Sequence, residues 1–177
     1  MAGTLTIHST GGQGLMSGHS WIEYQPDGGV SKTYGTWGNN PRGRGNGLHE
    51  DLEQGIPPGV TRSARLDDAQ EGALMAKIDA YRAEGADAWG YLSPCSTFAA
   101  DAWEAGTGES LDHRSGVISN PTRLNESIVA ANDAGPVKAP VADTGSSSSP
   151  SSSSSSSPGG GPGSPFDSPV QACPVPK

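Results

Sequence analysis

A chain of 177 residues and 18.0 kDa has room for one folded domain and little more. A formal charge of −8 removes the basic surface that supplies most nucleic-acid affinity, so DNA and RNA are not expected partners. No stretch approaches the ~18 apolar residues of a membrane span, and Met1-Ala2-Gly3-Thr4 carries neither the basic nor the apolar region of a signal peptide, so the expected product is soluble, without an integral membrane segment.

Thr4 to Ser9 alternates weakly around Leu5 and Ile7, Ser20 to Gln25 carries Trp21-Ile22-Glu23-Tyr24, and Val30 to Trp37 carries Thr33, Tyr34 and Thr36; these are strand residues. Asp27-Gly28 between the last two runs fits a two-residue type I′ hairpin loop. Pairing Pro26 with Gly29 then sets His19 opposite Thr36, Trp21 opposite Tyr34 and Glu23 opposite Lys32, all on one side of the hairpin. A one-residue slip would bring Gly35 or Trp37 opposite His19 instead.

Asn39 to Val60 is rich in Gly, Pro and Arg and too long for a tight connection, which marks a mobile or binding loop. Asp67-Asp68-Ala69-Gln70 resembles a capping box, followed by an apolar stripe of Leu74, Ile78 and Tyr81 that ends near Gly85. A second helix is expected with Ser93 as N-cap, Pro94 in the first helical position, Cys95 in the first turn and Gly106 as the stop. Asn120-Pro121 starts a third helix that turns Leu124 and Ile128 inward. The folded domain is therefore expected over 1–134. Residues 135–177, with their serine tract, prolines and glycines, cannot bury enough apolar surface to offset chain entropy and are expected to form a disordered tail.

Cys95 is the sole cysteine of the domain, since Cys173 falls in the tail. In the first turn of a helix, unpaired N–H groups and the positive dipole end favour thiolate, the nucleophilic form. The same residue also begins a stripe with Phe98, Ala99 and Ala102, the pattern of a buried small hydrophobe. Of the histidines, His19 opens a strand where a polar neighbour can fix its tautomer, while His8, His49 and His113 fit surface or core positions. No His or Cys pair has the spacing of a zinc site, so neither metal nor other cofactor is expected.

Gly18-His19-Ser20-Trp21-Ile22-Glu23-Tyr24, then Thr33-Tyr34-Gly35-Thr36-Trp37-Gly38, then Cys95-Ser96-Thr97-Phe98-Ala99 resembles the circularly permuted branch of the papain-like NlpC-type superfamily, in which the histidine strand precedes the cysteine helix. Lecithin:retinol acyltransferase-like enzymes and several bacterial toxin or effector domains share this order. Ile118 to Leu124 is similar to a stretch found in the bacterial members. The resemblance spans about residues 4 to 130 and implies an α+β fold, a small antiparallel sheet packed against the cysteine helix and flanking helices. It also implies Cys95 as nucleophile, His19 as base and a polar third residue on the following strand, for which the hairpin register points to Thr36, with Tyr34 next. Pro94 stands where members often carry Asn, which leaves the Cys95 N–H as the expected oxyanion donor.

The implied activity is that of a cysteine hydrolase of an acyl bond, first of all an amide in peptidoglycan peptide stems. A toxin-like hydrolase of this kind suits export by a contact-dependent apparatus such as type VI secretion, activity in a target periplasm, and an immunity protein as partner. Lipid acyl transfer or phospholipid hydrolysis, protein cleavage, and a catalytically inactive module that binds sugar or peptide through Tyr34, Trp37 and the glycine-rich loop are the alternatives.

Overall fold

The computed structural model describes residues 3–12 and 18–137. Of the expected tail over 135–177, residues 138–177, Cys173 among them, lie outside the described residues, while 135–137 are described, with Val137 packed against the core and the Gly135 carbonyl accepting from Arg62. The architecture is α+β. Five antiparallel strands, β1 (Gly3–Ser9), β2 (Ser20–Pro26), β3 (Lys32–Trp37), β4 (Gly47–Glu50) and β5 (Val60–Leu66), form a sheet in the order β4-β3-β2-β1-β5. Three helices, α1 (Asp68–Glu84), α2 (Cys95–Thr107) and α3 (Pro121–Ala134), come after the sheet, with a short hairpin of β6 (Arg114–Ser115) and β7 (Ile118–Ser119) before the last.

Period-two alternation divides the sheet. Leu5 and Ile7 of β1, Ile22 and Tyr24 of β2 and Tyr34 of β3 join Leu74, Ile78, Phe98, Trp103, Leu124 and Ile128 from the helices in one buried core. Each such large side chain, taken from water, contributes roughly 1.5–3 kcal/mol. His8, Trp21, Glu23, Thr33 and Trp37 take the alternate positions, on the outer face.

Local chemistry explains the helix ends. Asp67 accepts from the Gln70 N–H at 2.8 Å while the Gln70 side chain accepts from the Asp67 N–H at 2.9 Å, the reciprocal cap expected at α1. Asn120 Oδ1 accepts from the Arg123 N–H at 2.7 Å with Pro121 behind it, as expected at α3. At α2 the details differ: Pro94 itself is the N-cap, without a side-chain cap, and Cys95 is the first helical residue. The helix also runs past Gly106 to a left-handed Gly108, because Gly106 is where Leu5 meets the helix; a Cβ there would lie 2.8 Å from the leucine Cδ2.

The hairpin register is one residue away from the expected one. The turn does close between Pro26 and Gly29, whose N–H donates to the Pro26 carbonyl at 3.0 Å. However, only Gly28 of the two loop residues has a positive φ, so the turn is not type I′, and unprimed turns splay the strands they join. One extra residue is absorbed at Val30-Ser31, and the ladder pairs Tyr24 with Lys32, Glu23 with Thr33 and Ile22 with Tyr34. Trp37, not Thr36, thereby shares the face of His19. Asn39 to Val60 also contains β4, which gives the sheet an edge where a long irregular connection was expected.

Candidate active site

The β2–β3 ladder ends at Ile22–Tyr34, while both strands continue, β2 against β1 and β3 against β4. The sheet therefore parts at one end, and the side chains of His19, Trp37 and Glu53 meet there.

His19 is held by its backbone. Its N–H donates to Thr10 Oγ1 at 2.8 Å and its carbonyl accepts from the Thr10 N–H at 2.9 Å, which extends the β1–β2 pairing by one step. Its ring lies 4.1 Å, centroid to centroid, from Trp37 and 5.6 Å from Trp21, and is buried.

Glu53 arrives from the connection after β4. Asp51, at φ +61°, donates its N–H to the Thr33 carbonyl at 3.0 Å and accepts the Thr33 N–H on its side chain at 3.2 Å. Aspartate tolerates this left-handed conformation better than most residues, and beyond the bend Glu53 meets the outer face of the sheet. The Glu53 carboxylate has no exposed side-chain surface. Oε1 accepts from Trp37 Nε1 at 2.5 Å and faces His19 Nε2 at 3.3 Å, while Oε2 accepts from Thr33 Oγ1 at 2.8 Å. Burial pushes the carboxyl pKa up, but the His19 bond and charge with the Trp37 and Thr33 bonds outweigh it and hold it below its ordinary value. A buried anion beside Nε2 keeps a proton on that nitrogen, and Nδ1 is then the basic nitrogen of the ring.

A chain of hydroxyls positions the start of α2. Ser96 Oγ and Ser119 Oγ are 2.8 Å apart; two residues on, the Pro121 carbonyl accepts from Ser9 Oγ at 2.9 Å; and Ser9 Oγ lies 3.0 Å from Ser20 Oγ. Ser20 is next to His19. The N-terminus of α2 and the histidine end of β2 thus occupy the same end of the sheet, while Gly106, near the other end of α2, lies against Leu5. Cys95, the first residue of α2, is fully buried.

Of the residues singled out in sequence, His19 and Cys95 come to this end. Thr36 does not take the third position: with the register displaced it shares the core-facing side with Tyr34, and its buried hydroxyl has no hydrogen-bond partner. Tyr34 lies in the core at 5% exposure, and Trp37, at 3%, directs its indole N–H to Glu53, so neither presents a surface to a ligand. Glu53 was missed because it is 34 residues from His19 in an irregular segment without periodicity. The one signal was an acidic residue amid glycine and proline.

The remaining histidines have other partners. His8 Nε2 faces Glu23 Oε2 at 3.2 Å, His49 Nε2 faces the Gly45 carbonyl at 3.0 Å, and His113 Nδ1 lies 2.7 Å from Ser119 Oγ. Among the described residues no group of His, Cys, Asp or Glu is disposed to hold a metal ion, and no helix is long and apolar enough to cross a membrane. No family model, curated protein or solved structure matches this chain.

Proposed function

We propose that the protein is a cysteine hydrolase of amide bonds, with Cys95 as nucleophile, His19 as acid–base and Glu53 as the residue that orients and charges the imidazole. The observation that carries this reading is the buried Glu53–His19 contact at the end of the sheet where α2 begins. It fits the permuted papain-like arrangement implied by the resemblance, with glutamate from a loop in place of a residue on β3.

The groups dictate the chemistry. His19 Nδ1 takes the Cys95 proton, and the imidazolium is stabilised by the Glu53 anion. The dipole of α2 favours the thiolate, which adds to the substrate carbonyl, and first-turn N–H groups of α2 are the donors for the oxyanion. Collapse of the tetrahedral intermediate expels the amine, which leaves with the proton from His19. Water, deprotonated by His19, then cleaves the thioester and regenerates the thiol. Peptide stems of peptidoglycan are the first substrates to test, and the net charge of −8 disfavours approach to anionic lipid surfaces. Export as an antibacterial effector and an immunity partner belong to the same proposal.

The test is the pH dependence of Cys95 alkylation by iodoacetamide in a Cys173→Ser background. An ion-paired thiolate reacts well below the ordinary thiol pKa of about 8.5 and loses that reactivity in His19→Ala. Reaction only near that pKa, or only on unfolding, assigns Cys95 to core packing and overturns the proposal in favour of a binding module.

A further inference from the structure

Residues 38–46 connect β3 to β4, and the pair Trp37–Gly47 closes the loop at its base. Trp37 is the residue whose ring packs against His19, so the loop stands at the histidine end of the sheet. Its first residue lies under a side chain of the segment that leads to α2: a Cβ on Gly38 would come within 2.7 Å of the Trp89 indole. The loop backbone is tied to itself. Asn40 Oδ1 accepts from the Gly45 N–H at 2.6 Å, Asn46 Oδ1 from the Asn40 N–H at 2.8 Å, and the Asn40 and Pro41 carbonyls from the Gly43 and Arg44 N–H groups, each at 3.0 Å. Pro41 is buried, and the tip presents two exposed arginines, Arg42 and Arg44, on either side of Gly43.

Neither guanidinium has a hydrogen bond or ion pair among the described residues, whereas Lys32, Arg62, Arg65, Arg82 and Arg123 are each paired with a carboxylate. Residues 38–49 contain no acidic side chain, and Glu50, which follows, is already shared by Lys32 and Arg82. Arg42 also has φ +50°, in the left-handed region that strains an L side chain. The other positive-φ positions of this loop hold Asn39, Asn40, Gly43 and Gly45, residues that tolerate it. Arginine at 42 is therefore a cost to the fold that no intramolecular polar contact offsets. Two like charges one residue apart on a fixed turn also repel, and an oxyanion between them removes that repulsion.

We propose that Arg42 and Arg44 form a carboxylate-binding site, and that the amide substrate of the proposed hydrolase carries the carboxylate. A guanidinium presents paired N–H donors in the planar fork that a carboxylate accepts, and it offers no acceptor of its own. In a chain of net charge −8 an anionic substrate is repelled by most of the surface, so the arginine pair also sets where it approaches. The assignment to the substrate rests on the hydrolase reading; the carboxylate site itself does not.

The test is binding to the full-length Cys95→Ala protein, followed by calorimetry and backbone amide shifts. The probes are glutarate, its uncharged analogue glutaramide, and inorganic phosphate. Glutarate is expected to bind saturably, to shift the amides of Arg42, Gly43 and Arg44, and to weaken about tenfold or more in Arg44→Gln and in Arg42→Gly; glutaramide is expected not to bind. Arg42→Gly removes the left-handed strain, so its melting temperature is expected at or above that of its parent, which separates lost binding from lost folding. Equal binding of glutaramide, unchanged affinity in either variant, shifts confined to other surfaces, tighter binding of phosphate, or no saturable binding of glutarate overturns the site. In a Cys173→Ser background that retains Cys95, saturating glutarate is expected to slow Cys95 alkylation by iodoacetamide. A reactive Cys95 that glutarate fails to protect overturns the assignment to the substrate. An unreactive Cys95 overturns the hydrolase reading and that assignment with it, and leaves the carboxylate site standing on the binding data.

Discussion

Trp37 Nε1 donates at 2.5 Å to the same Glu53 oxygen that faces His19 Nε2 at 3.3 Å. The indole is a donor only, so it can orient an anion but cannot exchange its proton with it. Trp37 therefore fixes where the negative charge sits, and the charge fixes which imidazole nitrogen is basic.

Replacing Glu53 by glutamine keeps the volume and removes the charge that stabilises the imidazolium. Glu53→Gln is expected to slow hydrolysis and neutral-pH alkylation of Cys95 by roughly 10–100-fold, within the range for perturbed acid–base groups. Parallel pH–rate profiles separate this from a folding defect: the acidic limb should move up in pH as the thiolate–imidazolium pair weakens. An unchanged limb would assign Glu53 to packing alone.

Glu53 also makes stability depend on pH. Its carboxyl is held below its ordinary value of 4.5 in the folded state despite burial, so its charged form is favoured by folding. The stabilisation is therefore complete above that value and is lost as pH falls through the lower folded-state pKa. The melting-temperature difference between wild type and Glu53→Gln should be largest near neutrality and shrink below about pH 4.5. A difference that grows on acidification would show that burial, not its hydrogen bonds, governs this carboxyl.

Gly35 makes the meeting of β3, His19 and Glu53 possible. A Cβ there would lie 2.2 Å from Glu53 Oε1 and 3.2 Å from His19 Nε2. The colliding oxygen is tied by Trp37 and cannot withdraw cheaply. Gly35→Ala should destabilise by about 1–3 kcal/mol in urea unfolding, the usual cost of overpacking, and lower Cys95 reactivity together with stability.

Strands β1, β2 and β3, the N-caps of α1 and α3 and the ends that carry His19 and Cys95 were legible because each rests on local signals: alternation, a capping box, proline in a first turn; β4, β5 and both ends of α2, at Pro94 and Gly108, were not. The register was not, because one extra residue at Val30-Ser31 depends on a turn whose Asp27 and Gly28 suit more than one type. That single step exchanges Thr36 for Trp37 beside His19. Glu53 was illegible for a different reason: it is delivered by the bend at Asp51, and nothing in its own neighbours announces the sheet face it will meet.

Arg62 and Glu109 tie β5 to the region after α2. The guanidinium binds both carboxylate oxygens at 2.7 Å and reaches Asn132 Oδ1 and the Gly135 carbonyl, at the end of α3, at 3.0 and 2.9 Å; Trp103 Nε1 donates to the same carboxylate at 3.1 Å. Removing the anion leaves a buried cation with only neutral partners. Glu109→Ala should cost about 3 kcal/mol, near the low end for a broken buried pair because the carboxylate is partly exposed. Unfolding curves of this variant and of Arg62→Met should differ, with the methionine variant the more stable, since it leaves the partly exposed charge rather than the buried one.

Thr36 offers the sharpest contrast between the strand register expected and the one observed. As the third catalytic group its loss would slow the reaction. In the structure its hydroxyl is buried without a hydrogen-bond partner, so it carries a desolvation cost with no return. Thr36→Val replaces that hydroxyl with a methyl of similar size, and the β-branched side chain suits a strand. The variant should be as stable as wild type or more so by up to about 1 kcal/mol, and Cys95 alkylation should be unchanged. A rate loss comparable to that of Glu53→Gln would return Thr36 to the site and place the working register one residue from the one seen here.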